Sequence, residues 1–380
     1  MHNVIQSFAS RQLGPLLVRG IAKGANTSIE SAFVIEAALS ILVAVATVGY
    51  LLIRSGVGWV ILLPVSLIAF WANLFNGLVL PDLLYAALTA IFLVLLWKQQ
   101  YAVASLLLLP MQVCREATIL LLFCFLIAGC RRFRFVHAGV AFLATYTGMR
   151  IVKVLAGSAG VNQEHLSPIL YMAGKIPWNF SKNLLGFPLW NNLNKPCEIP
   201  VWQTAIHIGG LRSVGVCSFS PAIPMWTLSM ALATFGLFPL LLIYIWRQNR
   251  LRFQGQSILA RFCLVYGVAS FLLAPMLGAS VPRLFSYSWP LFLVLVPILA
   301  QQYLRMKAGI LFALLAIHIV LGWLTIINHS KRLDPARELA MFCVCVFGYA
   351  AAWLLLSRAS KSGAVEPCNP VDERRTSLSS

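Results

Sequence analysis

An adjacent arginine and glutamate interrupt a long apolar stretch of this sequence. Arg115 and Glu116 lie in the middle of residues 101–130, with aliphatic runs on both sides. A charged side chain at the centre of a bilayer costs roughly 2.5–3.5 kcal/mol on insertion scales, so such residues face a partner or a water-filled cavity. Two roles are open for the pair. It forms a polar site in which the arginine binds a phosphate and the glutamate orients a substrate, or it is an internal ion pair that ties two short helices together.

Other polar residues lie near the ends of apolar runs. Asp82 follows Pro81 at the start of one run, where a carboxylate stabilises a helix N-terminus or contacts a sugar hydroxyl group. Arg283 lies in the short connection SVPRLFSY, and its planar guanidinium suits either a lipid-linked phosphate or a lipid headgroup. Tryptophan rings stack on sugars and also populate interfacial belts. A polar stretch at 156–223 carries the remaining candidates, His165, His207, Arg212, Trp178, Trp190 and Trp202.

The composition is that of a polytopic membrane protein. Of the 380 residues, 60% are hydrophobic and 11% are charged, against about 25% charged in soluble domains, and the mean hydropathy is +0.83. The net charge of +18 comes from short Lys and Arg clusters between apolar runs. Such clusters are typical of cytoplasmic loops under the positive-inside rule, so we expect no nucleic-acid partner. Cys/His metal spacings, a Ser-His-Asp order, a Walker loop and a dinucleotide fingerprint are absent from the sequence, so we expect no metal or soluble cofactor.

The apolar runs predict an all-α fold with about 11 transmembrane helices, several of them short. Residues 101–130 are too long for one span of roughly 20 residues. They form either one tilted helix kinked at Pro110 or two short helices that meet at Arg115. Basic residues at Lys98 and from Arg131 onward flank this stretch, and they favour two helices because both flanks are then cytoplasmic. The predicted spans are 31–53, 57–79, 82–97, 101–113, 117–129, 135–155, 224–246, 258–277, 284–302, 308–327 and 338–357.

The spans divide the chain into five regions, and their loop charges set the sides of the membrane. Asp82, Glu116, Arg283 and the polar stretch fall on the outer side, and the C-terminus falls inside. The Asn-x-Ser/Thr triplets at Asn26, Asn179 and Asn328 are also on the outer side. Cys197 and Cys217 form a disulfide in an oxidising compartment or are two free thiols. The predicted regions are an amphipathic interfacial segment at 1–30 broken near Gly14-Pro15, an N-terminal transmembrane bundle at 31–155, an extracytoplasmic loop at 156–223, a C-terminal transmembrane bundle at 224–357 and a disordered cytoplasmic tail at 358–380.

Two segments resemble the bacterial GT-C superfamily, membrane glycosyltransferases that use polyprenyl-phosphate sugars. The first is PDLLYAALTAIFLVLLWKQQYAVASLLLLPMQVCREATILLL, in which an aspartate opens a short helix and an Arg-Glu pair precedes a small residue and leucines. The second, SFASRQLGPLLVRGIA, is similar to the amphipathic stretch that closes their first outer loop. The resemblance covers residues 5–130, and residues 220–300 share only the hydropathy pattern.

This resemblance implies sugar transfer from a polyprenyl-phosphate donor at the outer face of a bacterial inner membrane. The lipid-linked sugar is then the donor substrate, and membrane lipid is the surrounding partner. Asp82 and Glu116 are the implied catalytic carboxylates. The implied contacts to the lipid-linked donor are Arg115, Arg283, Arg212, His207 and Trp190.

The sequence departs from the superfamily at its start. The acidic residue that acts as base there usually lies in the first outer loop, after a first span. This chain has no predicted span before residue 31 and no acidic residue before Glu30. Either the resemblance misleads, or the chain is truncated at its start. We expect truncation, which also explains a basic N-terminus on the outer side and implies that the chain is inactive as it stands.

Two other classes of protein fit the same pattern of spans. An O-antigen polymerase or ligase also has many spans and a large outer loop, and it would depend on loop residues such as Arg212 and His207. A transporter or flippase is the third possibility. Transporters often contain duplicated halves, and the sequence has no internal repeat, which argues against this class.

Overall fold

Most of the described residues are helical, and several of the helices are long and apolar enough to cross a membrane. It divides into two compact units, Met1–Arg54 with Leu74–Glu164 and Phe253–Val268, and Ser55–Asn73 with His165–Arg252 and Ala269–Ser380. Each unit is described by itself. The computed structural model describes residues 4–5, 13–58, 82–130, 135–157, 161–162, 168–192, 195–208, 211–249, 257–277, 281–328, 334–362 and 365–367.

The first unit is a helical bundle with one short parallel strand pair, β1 with β2. Close packing joins two of its helices, because a Cβ atom at Gly148 would lie 2.8 Å from the Cβ atom of Gln112. Phe92 packs against Phe125 and Phe262, with ring centroids 5.2 Å apart in both pairs. The elements are β1 (Val4–Ile5), α1 (Leu13–Gly24), α2 (Ile29–Arg54), α3 (Asp82–Trp97), α4 (Tyr101–Cys114), α5 (Thr118–Gly129), α6 (Phe135–Gly157) and β2 (Val161–Asn162).

The stretch 101–130 forms two short helices, α4 and α5, as the loop charges predict. Pro110 lies inside α4 without ending it, so the single helix kinked at this proline is wrong. The break comes at Arg115, whose backbone is extended, with φ −160° and ψ 140°. The hydroxyl group and the backbone N–H group of Thr118 then both donate to the Arg115 carbonyl oxygen, at 2.8 and 3.2 Å, and fix the turn into α5.

The second unit combines helices with a small antiparallel sheet, and α10 contributes its first residues to the other unit. Between α11 and α12 the chain continues as a 3₁₀ turn and a π-helical stretch. The elements are α7 (Pro168–Asn183), β3 (Leu189–Asn191), β4 (Trp202–Ile208), β5 (Leu211–Val216), α8 (Ala222–Phe235), α9 (Leu237–Asn249), α10 (Ile258–Leu277), α11 (Val281–Phe285), α12 (Val296–Tyr303), β6 (Leu304–Met306), α13 (Ala308–Asn328), α14 (Pro335–Lys361) and β7 (Val365–Pro367).

Among the described residues, five helices are long and apolar enough to cross a membrane: α2, α6, α10, α13 and α14. They agree with the predicted spans at these positions. The predicted single span 224–246 is instead two helices, α8 and α9, bent by 72° at Gly236. Helices α3, α4 and α5 have 16, 14 and 12 residues. At 1.5 Å per residue they measure about 18–24 Å, against a hydrocarbon core of about 30 Å. The predicted span 57–79 lies mostly outside the described residues.

The polar stretch predicted as a loop is a folded segment. Its strands pair in the order β3-β5-β4, all antiparallel. A disulfide joins Cys197 to Cys217, with their Cα atoms 6.1 Å apart, so the open choice between a disulfide and free thiols is settled. The segment is bounded by the end of α6 at Gly157 and the start of α8 at Ala222, close to the predicted bounds.

Two asparagine side chains of helix α7 cap the C-terminal end of α10. The side-chain amides of Asn179 and Asn183 donate to the carbonyl oxygens of Met276 and Pro275, at 3.3 and 2.8 Å. These carbonyl groups belong to the last turn of α10, where the helix itself supplies no N–H donor for them. Because Asn179 is buried, its Asn-x-Ser triplet does not support an outer location.

A helix lies within the predicted amphipathic segment, but details at both ends of the chain differ from the predictions. Gly14 and Pro15 lie in the first turn of α1, where proline is well tolerated, so they begin this helix and do not break it. Helix α14 continues to Lys361, and β7 pairs antiparallel with β6. The predicted disorder from residue 358 is therefore wrong for 358–362 and 365–367, and the remaining tail lies outside the described residues.

Candidate functional site

Asp82 and Arg115, which are 33 positions apart in the sequence, form a buried ion pair. Asp82 is 1% exposed and Arg115 is 3% exposed. Helices α3 and α4 follow each other through a three-residue turn at 98–100. Such a short connection favours antiparallel helices, which places the start of α3 beside the end of α4. The pairing is thus a direct result of two short helices of similar length.

The helix ends favour both charges. Asp82 lies in the first turn of α3, where backbone N–H groups give the helix end a partial positive charge. Arg115 directly follows the last turn of α4, which carries a partial negative charge. These dipoles offset part of the cost of taking two charges out of water, which is several kcal/mol per ion in real proteins.

Two further polar side chains lie one helical turn from the pair. Tyr85 follows Asp82 on α3, and Gln112 precedes Arg115 on α4; both are buried. The Oε1 atom of Gln112 has no hydrogen-bond partner among the described residues. A buried polar atom of this kind costs about 1–3 kcal/mol. We call Asp82, Tyr85, Gln112 and Arg115 the α3–α4 polar cluster.

Glu116 lies in the turn between α4 and α5 and is partly exposed. Of the three charged residues at this place, it is therefore the one whose side chain reaches the surface. A partly exposed carboxylate can exchange a proton with a bound molecule. Arg115 is buried and faces Asp82, so it cannot contact a phosphate without a rearrangement. The alternative of an internal ion pair is thus favoured for Arg115, with Asp82 as its partner.

Arg283 belongs to the second unit and lies on a helix, not in the predicted connection. Helix α11 holds it in a half-buried position, and the neighbouring Val281 and Phe285 are buried against Ala231 and Ala274. Asp82 and Glu116 belong to the first unit, and the expected convergence of Arg283 with them stays a prediction.

The candidates of the polar stretch have different environments. Trp190 on β3 is 8% exposed, so its indole ring presents no face on which a sugar could stack. Arg212 on β5 is exposed, and its backbone N–H group donates to Asn192 Oδ1 at 2.9 Å. His207 lies on β4, and its side chain is outside the described part of the structure, as is all of His165.

A second buried polar group, missed by sequence reasoning, lies at the bend between α8 and α9. The Leu232 carbonyl oxygen accepts from the Gly236 N–H group at 2.6 Å and from the Tyr349 hydroxyl group at 3.0 Å. His318 Nδ1 lies 2.7 Å from the same hydroxyl oxygen. A lone histidine within the apolar run 308–327 was the available signal. We call Leu232, His318 and Tyr349 the bend cluster.

Metal chemistry finds no support in either place. Across the described ranges, no group of three or more His, Cys, Asp or Glu residues is arranged to hold a metal ion.

Comparison with known proteins gave no match. No family model matches the chain, and no curated protein or solved structure matches it either. The interpretation of both clusters therefore rests on their own geometry.

Proposed function

We propose that the chain is a GT-C-like glycosyltransferase that takes a sugar from a polyprenyl-phosphate donor at the outer face of a bacterial inner membrane. The observation that carries this proposal is the α3–α4 polar cluster beside the partly exposed Glu116. Replacing a buried ion pair with apolar residues is often neutral or stabilising, so stability alone is a weak reason for Asp82 and Arg115. Ionisable residues within membrane segments usually mark functional sites.

In this proposal Glu116 is the catalytic carboxylate. It accepts the proton of the acceptor hydroxyl group while that oxygen attacks the anomeric carbon of the donor sugar. The bond from the anomeric carbon to the phosphate oxygen breaks, and polyprenyl phosphate leaves. Asp82 is too deeply buried to meet a substrate, so we assign Asp82 and Arg115 to positioning the turn that carries Glu116.

The other residues predicted to contact the lipid-linked sugar donor differ in their exposure. Arg283 and Arg212 have enough exposure to meet a lipid phosphate or pyrophosphate. Trp190 does not, because its ring is buried in the sheet. His207 stays a candidate by its position on β4.

The proposed topology has about eleven crossings and places the folded polar stretch outside the cytoplasm. The disulfide between Cys197 and Cys217 supports this location, because disulfides persist mainly in oxidising compartments. The short helices α4 and α5 then pass outward and back, which puts the turn at Glu116 on the outer side. Their length requires a locally thinner bilayer or an outer end that stops below the headgroups.

Release of polyprenyl phosphate from a panel of undecaprenyl-phosphate hexoses and pentoses tests the proposal. Purified protein in lipid vesicles is compared with Glu116→Gln, which we expect to lose about 10²–10⁴-fold in rate. Glu36→Gln is the control, because Glu36 is a carboxyl group of the same unit on a different helix, α2, where it accepts a hydrogen bond from the Ser40 hydroxyl group at 3.0 Å. In this proposal Glu116 takes the place of the missing first-loop base, so the chain itself should be active. Equal rates for these two variants, or no release by the unsubstituted protein from any donor, would therefore reject the proposal.

A transporter or flippase is the second candidate, favoured by the broken pair α8 and α9. Discontinuous membrane helices often frame substrate sites in transporters, and here the break faces His318 and Tyr349. The same vesicles distinguish the two functions. Movement of an undecaprenyl-phosphate sugar across the bilayer without its cleavage would identify a flippase.

A further inference from the structure

The disulfide-closed loop of the polar stretch exposes large apolar side chains. Ile199, Val201 and Trp202 are 83%, 75% and 56% exposed. They lie between the paired Cys197 and Cys217, next to and at the start of the edge strand β4. We call these three residues the apolar tip. Clustered apolar side chains on a folded surface usually mark an interaction site.

The fold places this segment beside the end of a membrane helix. Two side-chain amides of helix α7 donate hydrogen bonds to carbonyl oxygens in the last turn of α10. Helix α10 is one of the helices long and apolar enough to cross a membrane. Helix α7 also packs against α8 and against β3, which belongs to the same sheet as the tip. The sheet is therefore tied to the level at which α10 leaves the bilayer.

More apolar surface lies along the same segment. Helix α7 exposes Ile176 and Phe180, which are one turn apart and so on one face. After α7 the chain turns at Gly186, whose φ of +74° suits glycine, and it exposes Phe187 and Phe219 in mutual ring contact at 5.1 Å. Apolar exposure thus extends from the tip to α7.

The charges and aromatic content of the tip suit a lipid interface. Lys195 and Arg212 are exposed and lie near the two ends of the disulfide-closed loop, and Glu198 is the acidic residue beside them. Basic side chains favour anionic lipid surfaces. Tryptophan prefers the boundary between headgroups and acyl chains.

From these observations we infer that the apolar tip inserts into the headgroup region of the bilayer that the chain's own helices span. The segment between α6 and α8 then lies on the membrane and does not project into water. This inference is independent of the proposed catalytic activity, and its test needs no substrate.

Trp202 fluorescence tests the insertion. The full chain is reconstituted into vesicles of phosphatidylcholine and phosphatidylglycerol, with and without brominated phosphatidylcholine. The signal of Trp202 is the spectrum of the unsubstituted protein minus that of Trp202→Phe. We expect brominated lipid to remove more than half of this signal and iodide to leave it nearly unchanged. The control is Trp190→Phe, which isolates a buried tryptophan of the same sheet that iodide should not quench.

Three outcomes would overturn the inference. Quenching by iodide without quenching by brominated lipid would place the tip in water. Protection from both quenchers would mean that a second copy or another part of the protein covers it.

A photoactivated carbene reagent dissolved in the bilayer gives a check without any substitution, since it should label the peptide that contains residues 199–202. Labelling of α13 with no labelling of this peptide would also contradict insertion.

Discussion

Removing one hydroxyl group from the bend cluster gives a sharp test of its geometry. The Tyr349 hydroxyl group donates its single proton to the Leu232 carbonyl oxygen. Its oxygen can therefore only accept from His318, so Nδ1 of this histidine carries a proton. Tyr349→Phe leaves that buried N–H group without its acceptor, while Leu232 keeps the N–H group of Gly236.

The expected cost follows from these contacts. Leaving a buried donor unsatisfied costs about 1–3 kcal/mol, and losing the bond to Leu232 adds about 0.5–1.5 kcal/mol. We therefore expect Tyr349→Phe to lower the free energy of unfolding by about 1.5–4.5 kcal/mol. In a His318→Phe background there is no imidazole N–H group to lose its acceptor. Tyr349→Phe should then lower the free energy of unfolding by only about 0.5–1.5 kcal/mol.

Unfolding in mixed detergent and denaturant, followed by circular dichroism, measures the four members of this double-mutant cycle. Tyr146→Phe is the control, since Tyr146 on α6 is exposed and belongs to the first unit, whereas the bend belongs to the second. A cost for Tyr349→Phe no larger than that of the control, or an equal cost in both backgrounds, would refute the assigned hydrogen bonds.

Three further predictions concern the same unfolding measurement. Gly236→Ala should lower stability by about 1–3 kcal/mol, because its Cβ atom would lie 2.5 Å from the Leu232 carbonyl oxygen and from the Tyr349 ring. Asp82→Asn should cost about 3–5 kcal/mol, since it removes the negative charge facing buried Arg115, whereas Asp82→Leu with Arg115→Met should be near neutral. Reducing the disulfide between Cys197 and Cys217, which are 20 positions apart, should cost about 3 kcal/mol.

Each of these predictions has its own control. For Gly236, the control is Gly309→Ala, because a Cβ atom at Gly309 would have no neighbour within 4 Å. This control should leave the free energy of unfolding unchanged, and an equal loss of stability at both glycines would contradict the close contact at the bend. For the ion pair, a double substitution as costly as Asp82→Asn would show that charge compensation is not the main effect. For the disulfide, unchanged stability after reduction would mean that the sheet alone fixes the loop.

The break between α4 and α5 was predictable because basic residues on both flanks restrict the path of the chain. The contact between Asp82 and Arg115 depends on how the turn at 98–100 orients α3 and α4. The residue types in that turn do not reveal this orientation. The bend at Gly236 escaped prediction because glycine is common inside membrane helices. A local cause is also present, because Pro239 lies three residues after Gly236 and has no N–H group for the helix ladder. His318 of α13 and Tyr349 of α14 then contact the bend.

The sheet in the polar stretch was also not predictable. Its strands have three, seven and six residues, and β3 is too short to show a regular alternation. The burial of Trp190 depends on the partner strand β5, so the sequence could not distinguish a buried ring from a sugar-stacking one. The position of Cys197 and Cys217 in one predicted outer loop allowed a disulfide but did not decide between it and two free thiols.

The pairing of Asp82 with Arg115 has a consequence for how the protein enters the membrane. Inserted alone, each helix would carry an unpaired charge at one end, at a cost below the roughly 2.5–3.5 kcal/mol of a charge at the bilayer centre. The turn between α3 and α4 has only three residues, and its Gln99 adopts a left-handed φ of 58°. The two helices can therefore close on each other as soon as both are synthesised. We expect α3 and α4 to enter the membrane together as one hairpin whose charges are already neutralised.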